Sequence, residues 1–164
     1  MRPIRDATAA DAAAIAEIYN HYVEHTVVTF EETLVSAADF AARIESVHAA
    51  GFPWLVAEQA GRVLGYAYAT KWKERSAYRF SAEVTVYLAP TATGRGIGTL
   101  LYERLFEALA DEDVHRAYAG VTLPNEASVR IHARLGFQPV GVYEQVGRKF
   151  GFYHDVAWFE KRLR

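Results

Sequence analysis

Apolar and polar positions alternate along this chain with one of two periods. From Phe80 to Leu88 the period is two. Ser81, Glu83, Thr85 and Tyr87 fall on one face, and Phe80, Ala82, Val84, Val86 and Leu88 on the other. Such alternation among β-branched and aromatic residues predicts a half-buried strand, which Pro90 ends. A glycine-rich turn follows, Thr93-Gly94-Arg95-Gly96-Ile97-Gly98-Thr99, and then the period changes. Leu101, Leu105 and Leu109 recur every four residues with Tyr102 and Phe106 beside them, the stripe of an amphipathic helix.

The same two periods place the other elements. Ile4 and its neighbours suit an edge strand. Thr8 to Asp11 and Ser36 to Asp39 read as capping boxes. The first opens a helical stripe at Ile15, Ile18, Tyr19 and Tyr22, and the second opens one at Phe40, Ile44 and Val47. Gly51 and Pro53 stop the second helix. Strands at Trp54 to Glu58 and Val63 to Thr70 flank a hairpin turn at Ala60-Gly61. His25 to Glu32 is irregular, and Lys71 to Tyr78 is a polar loop holding Trp72. Beyond the long helix come a short strand at Ala117 to Leu123 and a helix from about Glu126 to Leu135, with Gly136 past its end. Phe137 to Val146 and Phe152 to Glu160 close the chain as antiparallel strands. This order predicts an α+β sandwich around a mixed sheet.

Composition narrows the function classes. At 164 residues the chain is expected to form one domain, 1–164. Net charge is −2, so no basic field points to nucleic acid. There is no cysteine, which removes a disulfide framework, a Cys-based zinc site and a Cys nucleophile. The six histidines fall in no metal-ligand spacing, and no Gly-x-Ser-x-Gly elbow occurs. No signal-peptide core or membrane span is evident, so the expected setting is the cytoplasm.

The glycine turn is the clearest chemical signal. The first N–H groups of a helix lack internal partners, and the helix dipole favours an anion there. Glycines admit positive φ and let the backbone approach a phosphate. The turn lacks the Gly-Lys-Ser/Thr of a Walker loop and the third glycine of a dinucleotide fingerprint. What remains is Gly-x-Gly at 96 and 98, behind a long strand and ahead of a helix.

That arrangement resembles the acetyl-CoA loop of the GCN5-related N-acetyltransferases, or GNAT family, with Thr93 standing where Arg or Gln is usual. A second run, Asn125-Glu126-Ala127-Ser128 with His132 and Leu135-Gly136-Phe137, resembles the family's pantetheine-binding helix. A third feature is narrower. Thr29-Phe30-Glu31, Lys73-Glu74-Arg75-Ser76-Ala77-Tyr78 and Lys149-Phe150-Gly151 followed by His154-Asp155-Val156 look like the phosphinothricin and methionine sulfoximine/sulfone acetyltransferases. The resemblance implies a mostly antiparallel sheet with helices on both faces. It also implies acetyl-CoA as cosubstrate, a small α-amino acid analogue as acceptor and a homodimer, with no metal, nucleic acid or membrane.

Residue roles follow under that resemblance. Glu83 is expected to be the general base, acting directly or through water, with its pKa raised by partial burial. Val86, Tyr87 and Leu88 would offer backbone N–H groups to the acetyl carbonyl and pantetheine. Gly94, Arg95, Gly96, Ile97, Gly98 and Thr99 would cradle the diphosphate, with Asn125 and Ser128 on the pantetheine arm. His132 stands where the family often has the Tyr that protonates the leaving thiolate; it is either that acid or a packed helix histidine. Arg75 is the first candidate to hold the acceptor's carboxylate, with Lys73 in reserve. Phe30 and Tyr78 would wall its side chain, and His154-Asp155 reads as a structural pair. Attack is expected to be direct, without an acyl-enzyme. Another acceptor amine (a polyamine, an aminoglycoside or a protein N-terminus) and a non-catalytic CoA sensor are the alternatives.

Overall fold

A computed structural model describes residues 3–164. Seven strands form one sheet in the order β1-β2-β3-β4-β5-β7-β6. They are β1 (Ile4–Asp6), β2 (Trp54–Gln59), β3 (Arg62–Lys71), β4 (Ser81–Leu88), β5 (Arg116–Thr122), β6 (Gln138–Lys149) and β7 (Phe152–Arg162). Every neighbouring pair is antiparallel except β4 and β5. Four helices cover the sheet: α1 (Ala12–His25), α2 (Ala37–Ala49), α3 (Ile97–Asp111) and α4 (Glu126–Arg134).

The period-two pattern decides which helices meet which face. Trp54, Val56 and Tyr66 point to one side and pack under α1 and α2 against Ile15, Tyr19, Phe40 and Ile44. Leu55, Ala67, Ala69, Ala82 and Val84 point to the other and pack under α3 against Leu101, Leu105 and Leu109. Val129 and Ile131 of α4, with Leu135 just past its end, join that second layer. The alanines on this face let α3 lie close to the sheet.

Local signals set the ends of elements. Ser36 Oγ accepts the Asp39 N–H at 3.0 Å and starts α2. At the first capping box the Thr8 N–H donates to the Asp11 carboxylate at 2.8 Å. There the chain makes a short 3₁₀ turn over Ala9–Asp11 before α1 begins at Ala12. Asp11 is drawn down to Arg5, whose guanidinium donates to both carboxylate oxygens at 2.8 Å. Ala60 and Gly61 both take positive φ, as the hairpin turn requires.

Two strand ends and the loop after β3 depart most from the sequence reading. β6 runs to Lys149, not Val146, because the pairing slips between Tyr143 and Gly147, with Gln145 at positive φ, and then resumes. β7 likewise continues to Arg162, beside Arg116 of β5. The polar loop after β3 contains a 3₁₀ turn over Ser76–Tyr78.

Candidate active site

β4 and β5 pair over only three positions, ending at Glu83 opposite Tyr118. Past that point β4 stays with β3 as far as Leu88, while β5 stays with β7 as far as Thr122. The two strands therefore part, and a cavity of about 710 Å³ fills the gap. Glu83, Thr85 and Tyr87 line it from one face of β4, and Val84 and Val86 line it from the other. The opening thus passes through the sheet. On the α1–α2 side its wall includes Tyr19, Thr29, Phe30 and Tyr68; on the α3–α4 side it includes Tyr102, Asn125, Ser128 and His132.

Glu83 sits where the strands divide. It is half-buried, and burial raises its carboxyl pKa above the ordinary value. Among the described residues no ion pair of Glu83 opposes that rise. A carboxylate so placed is a better proton acceptor than one in water.

The glycine turn lies at the far end of β4. Gly94 and Gly96 adopt φ of +71° and +76°, and open space flanks both. Gly96 is the N-cap of α3, and no side chain caps the helix there. Its carbonyl accepts its first helical bond from Leu100, which leaves the amides of Ile97, Gly98 and Thr99 ahead of the ladder. Gly98 has a packing reason: a Cβ there would stand 3.2 Å from Ile131 Cδ1. Arg95 reaches back to β2, donating to Gln59 Oε1 at 3.2 Å. Leu88 and the 94–99 turn do not line the 710 Å³ cavity; they continue from its β4 wall into α3. Tyr22 donates its hydroxyl to the Leu88 carbonyl, fixing the strand end.

At the start of α4, Asn125 Oδ1 accepts the Ser128 N–H at 3.1 Å. His132, one turn on, is only 3% exposed. Its Nδ1 lies 2.7 Å from the Ser128 carbonyl and its Nε2 3.1 Å from the Tyr102 hydroxyl. A carbonyl can only accept, so Nδ1 carries the hydrogen and Nε2 accepts from Tyr102. Burial lowers the imidazole pKa. The ring thus has both nitrogens engaged, Nδ1 with the Ser128 carbonyl and Nε2 with the Tyr102 hydroxyl.

The expected acceptor residues separate. Phe30 lines the cavity, and Thr29 beside it is held by the Tyr19 hydroxyl at 2.7 Å. Lys149, buried at the end of β6, donates from Nζ to the Thr29 carbonyl at 2.9 Å. A Cβ at Gly147 would fall 2.2 Å from the Phe30 ring, so that ring rests directly on β6 backbone. Lys73 lines a second cavity of about 490 Å³ that shares Glu83, Tyr143 and Trp158 with the first. Arg75 and Tyr78 line neither; Arg75 precedes the Ser76–Tyr78 turn, and Tyr78 is exposed. His154 is not an ion-pair partner of Asp155: its ring lies against Phe30, while Asp155 accepts the Gln145 N–H. The sequence reading missed Tyr68, Tyr102, Tyr143 and Trp158 in the lining. Tyr102 was visible only as part of a core stripe.

These features fit acetyl-CoA: a strand edge freed by the split, a cavity through the sheet, and uncapped amides beside open glycine backbone. Among the described residues no cluster of His, Asp or Glu is arranged to hold a metal ion. No helix there is long and apolar enough to cross a membrane. Comparison with known proteins agrees with the geometry. Residues 4–158 match the family model described as an acetyltransferase (GNAT) domain. A phosphinothricin N-acetyltransferase of Streptomyces coelicolor is 46% identical, covering 98% of this chain and 95% of its own. The L-methionine sulfoximine/L-methionine sulfone acetyltransferase of Salmonella typhimurium is 38% identical over 98% of this chain and 94% of its own. The crystal structure of a GNAT phosphinothricin acetyltransferase from Sinorhizobium meliloti with acetyl-CoA superposes with a TM-score of 0.94 at 36% identity, covering 98% of this chain and 88% of that one.

Proposed function

The chain belongs to the GNAT acetyltransferase family, and from that premise we propose that it acetylates the α-amine of a small amino acid analogue of the phosphinothricin or methionine sulfone type, with Glu83 as general base. The observation that carries this reading is the half-buried carboxyl of Glu83 at the point where β4 and β5 part, on the wall of the cavity.

Acetyl-CoA supplies the activated acetyl group. The β4 edge at Val86, Tyr87 and Leu88 lies along the thioester arm in this reading, and its amides polarise the acetyl carbonyl. Asn125 and Ser128 flank the same arm. The Gly94–Thr99 turn, including Arg95, Gly96, Ile97 and Gly98, holds the diphosphate at the start of α3. An α-amine with a pKa of about 7.7–8.0 is largely protonated at neutral pH. Glu83 takes the proton, directly or through one water, and the nitrogen attacks without an acyl-enzyme. Burial of the carboxyl raises its basicity toward that task.

His132 is given a positioning part here. A neutral imidazole bonded at both nitrogens has no proton to release cheaply, so the departing thiolate takes its proton from water. A thiol near the ordinary pKa of about 8.5 leaves without an obligate acid. Lys73 is the better-placed cation for the acceptor's carboxylate, because it lines the cavity that shares Glu83. Arg75 would reach the site only from a second copy or after its loop moves. Phe30 walls the acceptor, with Tyr78 outside that wall.

The test is acetyl transfer to phosphinothricin and methionine sulfone, read as free CoA thiol. Glu83→Gln should lower kcat by about 100-fold, at the low end for a lost general base, with CoA affinity retained. Loss of CoA binding with unchanged turnover of the bound fraction would sink the assignment.

A further inference from the structure

The 490 Å³ cavity next to Glu83 has a chemistry of its own. Trp72, in the loop after β3, stacks on Tyr118 of β5 with ring centres 4.3 Å apart and planes 17° from parallel. Trp158 of β7 meets Trp72 edge-on at 5.2 Å. Gly120 gives Trp158 its place, since a Cβ there would stand 3.1 Å from the indole. Val140, Gly141, Val142 and Tyr143 of β6 complete the wall. Its charged side chains are Glu83 and Lys73, and the Lys73 ammonium lies 5.2 Å from the Trp72 ring. The last β4–β5 pair sets Glu83 directly beside Tyr118.

We propose that this aromatic cavity is a side-chain subsite, and that the protein acetylates α-amino acids bearing an aromatic or large apolar side chain. The inference rests on the acetyl-transfer reading and adds the class of acceptor. With the acceptor nitrogen at Glu83, its side chain reaches a hollow walled by four aromatic residues and two valines. That surface favours an apolar ring, through burial and offset or edge-on stacking. It disfavours a cationic side chain, because the Lys73 ammonium is already there. A polyamine or aminoglycoside is therefore a poor occupant, whereas an α-carboxylate gains from Lys73. The volume lies within the usual range for a small-ligand site, about 300–1,000 Å³.

The experiment has two readouts. Initial rates with saturating acetyl-CoA compare L-phenylalanine with L-alanine, and kcat/KM should favour phenylalanine at least tenfold. Trp72→Ala should cut that ratio by tenfold or more, and Trp72→Phe should restore most of it. Lys73→Glu, at an exposed position, should lower phenylalanine turnover and raise that of L-lysine. Separately, L-phenylalanine added to the CoA-bound protein should change tryptophan emission saturably, and Trp72→Ala should abolish the change. A wild type that acetylates methionine sulfone yet shows no phenylalanine preference overturns the subsite. So does absence of any saturable emission change, as when a second copy covers the cavity. If no amine is acetylated but phenylalanine still binds, the acetyl-transfer reading fails and the subsite stands.

Discussion

Glu83 combines two properties that one position rarely holds. It ends the three-residue ladder between β4 and β5, so the β4 backbone beyond it has no partner in β5. It is also half-buried on a wall of tyrosines, so its carboxyl is harder to ionise than one in water. The sign of the resulting pH dependence is fixed. A general base works only when deprotonated, and its pKa is raised. The acid limb of kcat/KM should therefore inflect above the ordinary Glu value of about 4.3. A pH–rate profile checks this, and Glu83→Gln should remove that inflection. The position of the carboxylate was legible in the sequence because it shares the polar face of the period-two alternation with Thr85 and Tyr87. His132 was legible only by position. The Ser128 carbonyl four residues back sets its tautomer, but its Nε2 bonds Tyr102, thirty residues away on another helix, and no local pattern records that second contact.

The strands and helices were readable wherever one face alone is buried. β4, α3 and the Ala60-Gly61 hairpin follow directly from period and turn chemistry. The pattern failed where pairing slips. The irregularity at Gln145 breaks the alternation of β6, so the strand reads as ending three residues early. Lys149 was lost with it. A lysine at a strand end reads as solvated, yet it is buried and bound to Thr29, 120 positions away. The glycine turn, by contrast, is read directly from its residues. Gly96 holds φ of +76° at the uncapped start of α3, with open space beside it. Gly96→Ala should cost about 1–2 kcal/mol for that backbone conformation and put a methyl in the open space. Calorimetry should show CoA affinity down by tenfold or more, with the melting temperature lowered by only a few degrees.

In the molecule as a whole, the β6–β7 hairpin carries an apolar tip. Val146, Phe150, Phe152 and Tyr153 are all exposed where β6 turns into β7, and Phe152 is 71% exposed. Such a cluster of exposed apolar residues marks an interaction surface. A second copy is the partner this reading expects, and one side of the hairpin already clasps the loop that carries Phe30. Phe152→Asp should convert a dimer to a monomer in sedimentation analysis. If the wild type sediments as a monomer at micromolar concentration, the hairpin needs another occupant.

The passage through the sheet has a consequence for the order of events. Tyr19 and Phe30 border it from one helical layer, Asn125 and His132 from the other. Under the proposed direct attack, donor and acceptor arrive from opposite sides without displacing each other, and both are present before anything reacts. Double-reciprocal plots at several fixed concentrations of either reactant should intersect. Parallel lines would mean that the acetyl group rests on the protein between two separate visits.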